Sequence, residues 1–233
     1  MGDVPTELDL LRAREQAMAR FVALAAHELR APATVVHGVA ATMAARPEEL
    51  TGERGPLLIQ MLYDQSKRLV RLLDQLLDLS RLDAEAVVID PHRFEVRPRV
   101  VDLVQSVAGE RASEVDIDVD GALEVNLDPE ILDRIVGNLV TNALRHGSSP
   151  VRVGAEQTDR HFRLVVEDGG SGVDADLQAR LFDRFAGSSS GAGTGLGLAI
   201  AQSYAHAHGG RILYEQGSPG ARFRVVIPAP PAA

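Results

Sequence analysis

Cysteine is absent from all 233 residues, and so is tryptophan. Disulfides and thiolate metal sites are thereby excluded, and a reducing cytoplasm is permitted. Aromatic residues make up 4% against 45% hydrophobic residues, so any core must be aliphatic. Cations are also short: 24 Lys and Arg face 33 Asp and Glu, for a net charge of -9. Nucleic acid is excluded as the main partner, because a phosphate backbone needs clustered Lys and Arg. No apolar run reaches the ~18–20 residues that span a bilayer. The opening MGDVPTELD is acidic and lacks a signal-peptide pattern. A membrane link is expected to lie outside this chain. No GxxxxGK[ST] loop and no internal repeat occurs.

What is present begins with helices. Thr6 is placed to cap a helix, with Asp9 three residues on. From there to about Ala45 only Pro32 interrupts a helical pattern, and a bend is expected at that residue. Leu10, Leu11, Phe21, Leu24, Ala25, Val35 and Val39 share one broad face. His27 falls ~100° from the centre of that stripe, so its ring should meet solvent, and Glu28 falls nearer the stripe. Arg46–Pro56, with two Pro and two Gly, should be a turn. A second helix should run from Pro56 to Asp83. Leu58, Leu62, Leu69, Leu72, Leu76 and Leu79 recur by threes and fours as a coiled-coil-like seam, with Gln65 its one polar member. Leu57, Met61, Val70, Leu73 and Leu77 widen it beyond what one partner helix covers. A four-helix bundle made by a homodimer is the expected solution.

After Asp83 the periodicity changes. Short strands are expected at Val87–Ile89, Phe94–Val96, Val115–Val119, Leu123–Leu127, Val151–Ala155, Phe162–Val166, Arg211–Tyr214 and Ala221–Ile227. Helices are expected at Pro98–Ala108, Asp128–Arg145 and Leu196–Ala207, with a short one at Asp174–Phe185. Strands and helices mix without regular alternation, which indicates an α+β two-layer sandwich. The tail after Pro228, residues 229–233, should be disordered. The expected organisation is therefore multi-domain. A helical lead-in (1–20) and an all-α antiparallel helical hairpin (21–84) precede an α+β domain (85–228).

The chemistry-bearing residues fall in a fixed order. Asn138 and Asn142 lie one helical turn apart and project from one face. An amide oxygen is a hard ligand suited to Mg²⁺, which keeps waters and substrate phosphates as its other ligands. Asp168 ends a strand and is followed by Gly169, Gly170 and Gly172. A carboxylate there can accept from an exocyclic amine, and glycines let backbone approach a ligand closely. GAGTGLG, residues 191–197, then opens a helix whose free N–H groups attract phosphate. Taken singly, the Asn pair is a solvated face, the Gly run a turn and Asp-Gly-Gly a hairpin; their joint order carries the signal. His37, His92, His161, His206 and His208 fit solvated side chains, and His206 and His208 point different ways.

These stretches resemble the boxes of sensor histidine kinases. HELRAP (27–32) and LLDLSRLD (76–83) resemble the dimerisation and phospho-acceptor helices. NLVTNALRHG (138–147) resembles the asparagine box, DGGSGV (168–173) and GTGLGLAI (193–200) the glycine boxes, and LFDRF (181–185) the phenylalanine box. The resemblance implies an ATP-binding domain of the GHKL type, with ATP and Mg²⁺ as cofactors. It implies Asn142 as the Mg²⁺ ligand with Asn138 beside it, Arg145 on phosphate and His146 near the nucleoside. Asp168 would read the adenine amine, with Gly170 and Gly172 beside it. Gly193, Thr194, Gly195, Leu196 and Gly197 would line the phosphates, and residues 173–194 would form a lid anchored by Phe182 and Phe185. Ala186 and Gly187 stand where many members carry an aromatic and an Arg, so the lid lacks that charge. At position 31 the box usually has Thr or Asn, and here it has Ala.

The expected function is that of a cytoplasmic two-component histidine kinase. It would phosphorylate His27 from ATP, with Glu28 as general base, and pass the group to a response-regulator aspartate. Phosphatase activity should be weak, because Ala31 cannot hold a water. The sensor should be a separate or missing part. Two rivals remain open: an ATP-binding dimeric scaffold without phosphotransfer, and a chaperone- or repair-type ATPase. The latter would carry Glu where Asn138 stands.

Overall fold

The computed structural model describes residues 6–48, 52–84, 87–158, 160–186 and 194–229. The chain forms two compact units, residues 1–77 and 78–233. No helix among the described residues is long and apolar enough to cross a membrane.

The first unit holds helix α1 (Glu7–Ala45) and most of helix α2 (Gly55–Asp83). Helix α1 starts directly after Thr6 and runs through Pro32 without a break in its assignment. Thr34 Oγ1 donates to the Arg30 carbonyl at 2.8 Å, and Thr42 Oγ1 to that of Gly38 at 2.9 Å. The buried line of α1 passes through Ala25, Pro32 and Val39, at the seven-residue spacing that returns to one helix face. On α2 the leucine seam separates from the residues that widen it. Leu58, Leu62, Leu69 and Leu76 are half-buried and Leu72 is fully buried. Leu57, Met61, Val70, Leu73 and Leu77 are each 40–62% exposed.

The second unit opens on the last turns of α2. Asp78 is buried there, accepts from the Tyr204 hydroxyl at 2.9 Å and pairs with Arg134 at 3.1 Å. Burial and the Asp78 carboxylate push the Tyr204 phenol up to about 12. Asp83 forms a two-pronged pair with Arg184. Two β-sheets follow. Strand β1 (His92–Glu95) pairs antiparallel with β3 (Glu124–Leu127). A five-stranded sheet has the order β2-β4-β5-β7-β6. It comprises β2 (Val115–Val119), β4 (Val151–Gln157), β5 (His161–Glu167), β6 (Arg211–Gln216) and β7 (Ala221–Pro228). Among the described residues only the β2–β4 pair is parallel.

Helices α3 (Val96–Ala108), α4 (Pro129–His146) and α6 (Gly197–Ala207) form the second layer. They pack with α4 central between α3 and α6. Val153, Phe162, Leu164, Val166, Phe223 and Val225 point from alternate strand positions into the core, where Ile135, Val136, Leu139 and Ala201 meet them. Burying each such side chain is worth roughly 1.5–3 kcal/mol. The expected aliphatic α+β sandwich is therefore observed. Helix α4 is started by Asp128, whose Oδ1 accepts from the N–H groups of Glu130 and Ile131, with Pro129 at the first helical position.

Several expectations are corrected. Residues 87–90 are irregular rather than a strand, because the Asp90 N–H is engaged by the Asp128 carboxylate at 2.9 Å instead of a ladder. Val96 opens a helix rather than ending a strand; its N–H donates to the Leu123 carbonyl. Helix α5 (Ala175–Gln178) covers only part of Asp174–Phe185, and turns follow it to Ala186. Ala229, placed in a disordered tail, is 1% exposed, and its N–H donates to the Arg160 carbonyl. Residues 230–233 lie outside the described residues. His208 is not simply solvated: its Nε2 accepts from the Asp128 N–H at 3.2 Å.

Candidate nucleotide and phospho-acceptor sites

The nucleotide end is assembled from four segments of the second unit. The first is α4. The Asn138 side chain donates to the Arg134 carbonyl at 2.7 Å, which fixes the amide with its oxygen away from that turn. A Cβ at Gly197 would lie 3.0 Å from Asn138 Oδ1, so the start of α6 is set closely against this amide. Asn142 lies one turn further along, half-buried. Arg145 and His146 end the helix, and both are exposed. The partial burial of its ring first and the Arg145 charge second lower the His146 imidazole below its ordinary value.

The second segment follows α4. Arg111 donates to the Leu144 carbonyl at 2.6 Å and to both carboxylate oxygens of Glu114. Glu114 also receives the Ser149 hydroxyl. Arg111 and then Ser149 hold the Glu114 carboxyl down at about 2. This brace closes the Leu144–Ser149 stretch onto the 3₁₀ turn Gly109–Glu114.

The third segment is the loop at the end of β5. Asp168 is 7% exposed. Its Oδ1 accepts from the Gly170 N–H at 2.8 Å and the Ala221 N–H at 3.4 Å. Cβ atoms at Gly147 and Gly220 would come within 2.3 Å of Asp168 Cγ and 1.7 Å of its carbonyl oxygen. The carboxylate is thus fixed by backbone on both flanks. Gly172 takes φ +81°.

The fourth segment leads into α6. Gly195 takes φ +64°, and its carbonyl accepts from the Phe185 N–H at 2.8 Å. Thr194 is buried, and its hydroxyl accepts from the Leu196 N–H at 3.3 Å. Leu196 is fully buried, and Gly197 is the first residue of α6. Gly193 and the stretch 187–193 lie outside the described residues. Phe182 meets the Phe223 ring edge-on at 6.5 Å, and Phe185 is 8% exposed at a positive φ of 65°.

The phospho-acceptor pair lies in the first unit. His27 is exposed and Glu28 half-buried, the placement expected from the helical wheel. Arg68 of α2 lies 3.7 Å from the Glu28 carboxylate. Sequence reasoning missed Arg68, because nothing local ties two residues forty positions apart. It also missed Arg111, Glu114 and the β6 residues Tyr214 and Gln216. Among the described residues no group of three or more His, Asp or Glu could hold a metal alone. Asn142 and Asn138, one turn apart on α4, offer amide oxygens, the hard donor type that suits Mg²⁺.

Two family profiles match the chain. The His Kinase A (phospho-acceptor) domain covers residues 17–85, and the histidine kinase-, DNA gyrase B- and HSP90-like ATPase covers 127–231. The chain belongs to the sensor histidine kinase family. It is 35% identical over 186 residues to the signal transduction histidine-protein kinase AfsQ2 of Streptomyces coelicolor, which covers 76% of this chain and 34% of that protein. The chain spans between about a third and just over half of the first three curated relatives it matches, 34%, 56% and 32%. Its fold is like that of the Acinetobacter baumannii histidine kinase AdeS, with TM-score 0.70 at 23% identity over 87% of this chain and 97% of that one. It is also like the histidine kinase ThkA solved in complex with the response regulator protein TrrA. There the TM-score is 0.69 at 22% identity, over 93% of this chain and 63% of that one.

Proposed function

We propose that this chain is the catalytic core of a cytoplasmic two-component kinase. It transfers the γ-phosphoryl group of ATP to His27 and then to an aspartate of a response-regulator receiver. The observations that carry the reading are two close approaches to the chemistry-bearing side chains, Gly197 against Asn138 and Gly147 against Asp168, in a chain that also presents an exposed His27 beside Glu28. Asp168 offers a backbone-braced carboxylate to the adenine amine, and Gly170 and Gly172 let the base approach. His146 lies near the nucleoside, and Arg145 meets phosphate. Thr194, Gly195, Leu196 and Gly197 present the start of α6 to the phosphates. Asn142, with Asn138 beside it, holds Mg²⁺, which neutralises charge on the phosphates when bound.

In the transfer, the His27 imidazole nitrogen attacks the γ-phosphorus. The bond to the β–γ bridging oxygen breaks and ADP leaves. Glu28 accepts the ring proton. The partner receiver is suggested by the ThkA complex with TrrA, and by the exposed α1 surface that carries His27. A homodimer is supported by the exposed row Leu57, Met61, Val70, Leu73 and Leu77 on α2. Ala31 lies on the exposed side of α1, one turn after His27. Its methyl group neither donates nor accepts a hydrogen bond, so phosphatase activity towards the regulator is weak.

The test is incubation with γ-labelled ATP and Mg²⁺. Acid-labile, base-stable label is expected on the wild type and none on His27→Gln, while both bind nucleotide. Nucleotide binding without label on the wild type would leave the scaffold reading. Undiminished label on His27→Gln would move the acceptor elsewhere.

A further inference from the structure

The loop that carries Asp168 is held from a side that no motif marks. Strand β6 ends in Tyr214-Glu215-Gln216, and two of these side chains close a circuit of hydrogen bonds on the loop. The Tyr214 hydroxyl accepts from the Val173 N–H at 3.1 Å and donates to Gln216 Oε1 at 2.5 Å. The Gln216 amide then spends both N–H groups on carbonyls, that of Ser171 at 3.4 Å and that of Gly220 at 3.3 Å. The amide is consistent in one orientation only. Flipped, its oxygen would face two carbonyl oxygens, and its NH₂ would meet a hydroxyl already accepting from Val173.

Space at the loop is closed as tightly as its polar groups. A Cβ at Gly172 would fall 2.2 Å from Gln216 Nε2, and Gly172 already needs its φ of +81°. The Tyr214 ring lies 5.7 Å from that of Phe223, which Phe182 also meets, at 6.5 Å. On its second branch, Gln216 reaches Gly220, whose backbone lies directly against the Asp168 carbonyl. The next residue, Ala221, accepts the Asp168 N–H on its carbonyl at 3.0 Å and donates its own N–H to the Asp168 carboxylate at 3.4 Å. Gln216 therefore grips the Asp168 loop at Ser171 and at the β6–β7 turn together, and Tyr214 grips it at Val173.

We propose that Tyr214 and Gln216 are positioning residues for nucleotide binding. They touch no reacting atom. They hold the segment Asp168–Val173 in the one placement that aims the Asp168 carboxylate. The inference rests on the reading that Asp168 faces the nucleotide base. None of the boxes, residues 138–147, 168–173, 181–185 and 193–200, reaches β6.

Tyr214→Phe keeps the ring on Phe223 and removes only the hydroxyl. Gln216→Ala alters an exposed side chain and serves if the first variant is poorly folded. The full chain is used, with AMPPNP and Mg²⁺ as the binding probe. One net hydrogen bond corresponds to about a 3- to 10-fold change. Each variant is expected to bind AMPPNP about 3- to 10-fold more weakly. The ATP concentration for half-maximal His27 labelling should rise by the same factor, with the rate at saturating ATP unchanged. Amide hydrogen exchange at Val173, read without any nucleotide, should quicken at least about fivefold in both. The double variant should be no worse than the poorer single one, because the two residues act as one unit.

Unchanged exchange at Val173 in both variants overturns the proposal. Faster exchange with unchanged AMPPNP affinity also overturns it, leaving a structural clamp only. A wild type that binds no AMPPNP would instead defeat the ATP reading and the positioning role with it, while Val173 exchange still decides whether the clamp exists.

Discussion

Replacing Gly147 by alanine should weaken nucleotide binding by a free energy comparable to what it costs the fold. Gly147 takes φ -87°, which any residue adopts, so its requirement is space rather than backbone freedom. The added methyl would sit 2.3 Å from Asp168 Cγ, 2.5 Å from its Cβ and 2.7 Å from the Ala143 carbonyl oxygen. Carbon atoms rest at about 3.5–4.0 Å, so Asp168 must retreat by about 1.2–1.7 Å. That displacement breaks the 2.8 Å bond from the Gly170 N–H and turns the carboxylate off the base. A hydrogen bond to a charged group is worth roughly 1.5–3 kcal/mol, which is about 10- to 100-fold in affinity. Overpacking costs about 1–3 kcal/mol of stability, or roughly 3–10 °C for a domain of ~150 residues. The assay is calorimetric titration with AMPPNP and Mg²⁺ beside a thermal melt. Gly137→Ala is the control. Its methyl would meet Val107 and Leu103 at 3.8 and 3.9 Å in a helix interior, and it should stabilise by about 0.5–1 kcal/mol with affinity intact. AMPPNP affinity within twofold of wild type for Gly147→Ala would refute the argument.

Asn142→Ala should abolish Mg²⁺-dependent nucleotide binding and His27 labelling, and wild-type labelling at limiting Mg²⁺ would count against it. Asp128→Ala removes a cap for two N–H groups and the partner of the Asp90 N–H. It should cost about 1–2 kcal/mol in denaturant titration, and a loss below about 0.5 kcal/mol would show that water replaces the cap. Glu114 is ionised more readily in the fold than in the unfolded chain, so its contribution is present above the ordinary glutamate value of about 4.3 and is lost as pH falls through about 2. Melting temperature should therefore fall more steeply over that window for wild type than for Glu114→Gln, and parallel profiles would refute the brace. Ala31→Thr should speed dephosphorylation of a phosphorylated regulator in the presence of ADP without changing His27 labelling. Rapid stripping by the unmodified protein, with nothing gained in the variant, would remove the water argument.

The sequence by itself determined most of the elements and the aliphatic core. Periodicity separated helix from strand because burial forces apolar residues onto one face, at a spacing set by backbone geometry. That is why the leucine seam of α2, the apolar face of α4 and the exposure of His27 were legible. The motif residues were legible because a glycine or an Asn pair solves a local problem visible in a few positions. Tertiary structure decided what depends on residues far apart. Val87–Ile89 has strand-like side chains, yet its neighbour Asp90 gives its N–H to a helix cap 38 positions on, and no ladder forms. Ala229 looks like tail until Arg160 supplies a partner. Arg68 beside Glu28, the Arg111–Glu114–Ser149 brace, and Tyr214 with Gln216 behind Asp168 follow from no local pattern. Each is a side chain whose role exists only once the chain has brought a distant donor or acceptor within about 3–4 Å, the range over which hydrogen bonds and ion pairs act.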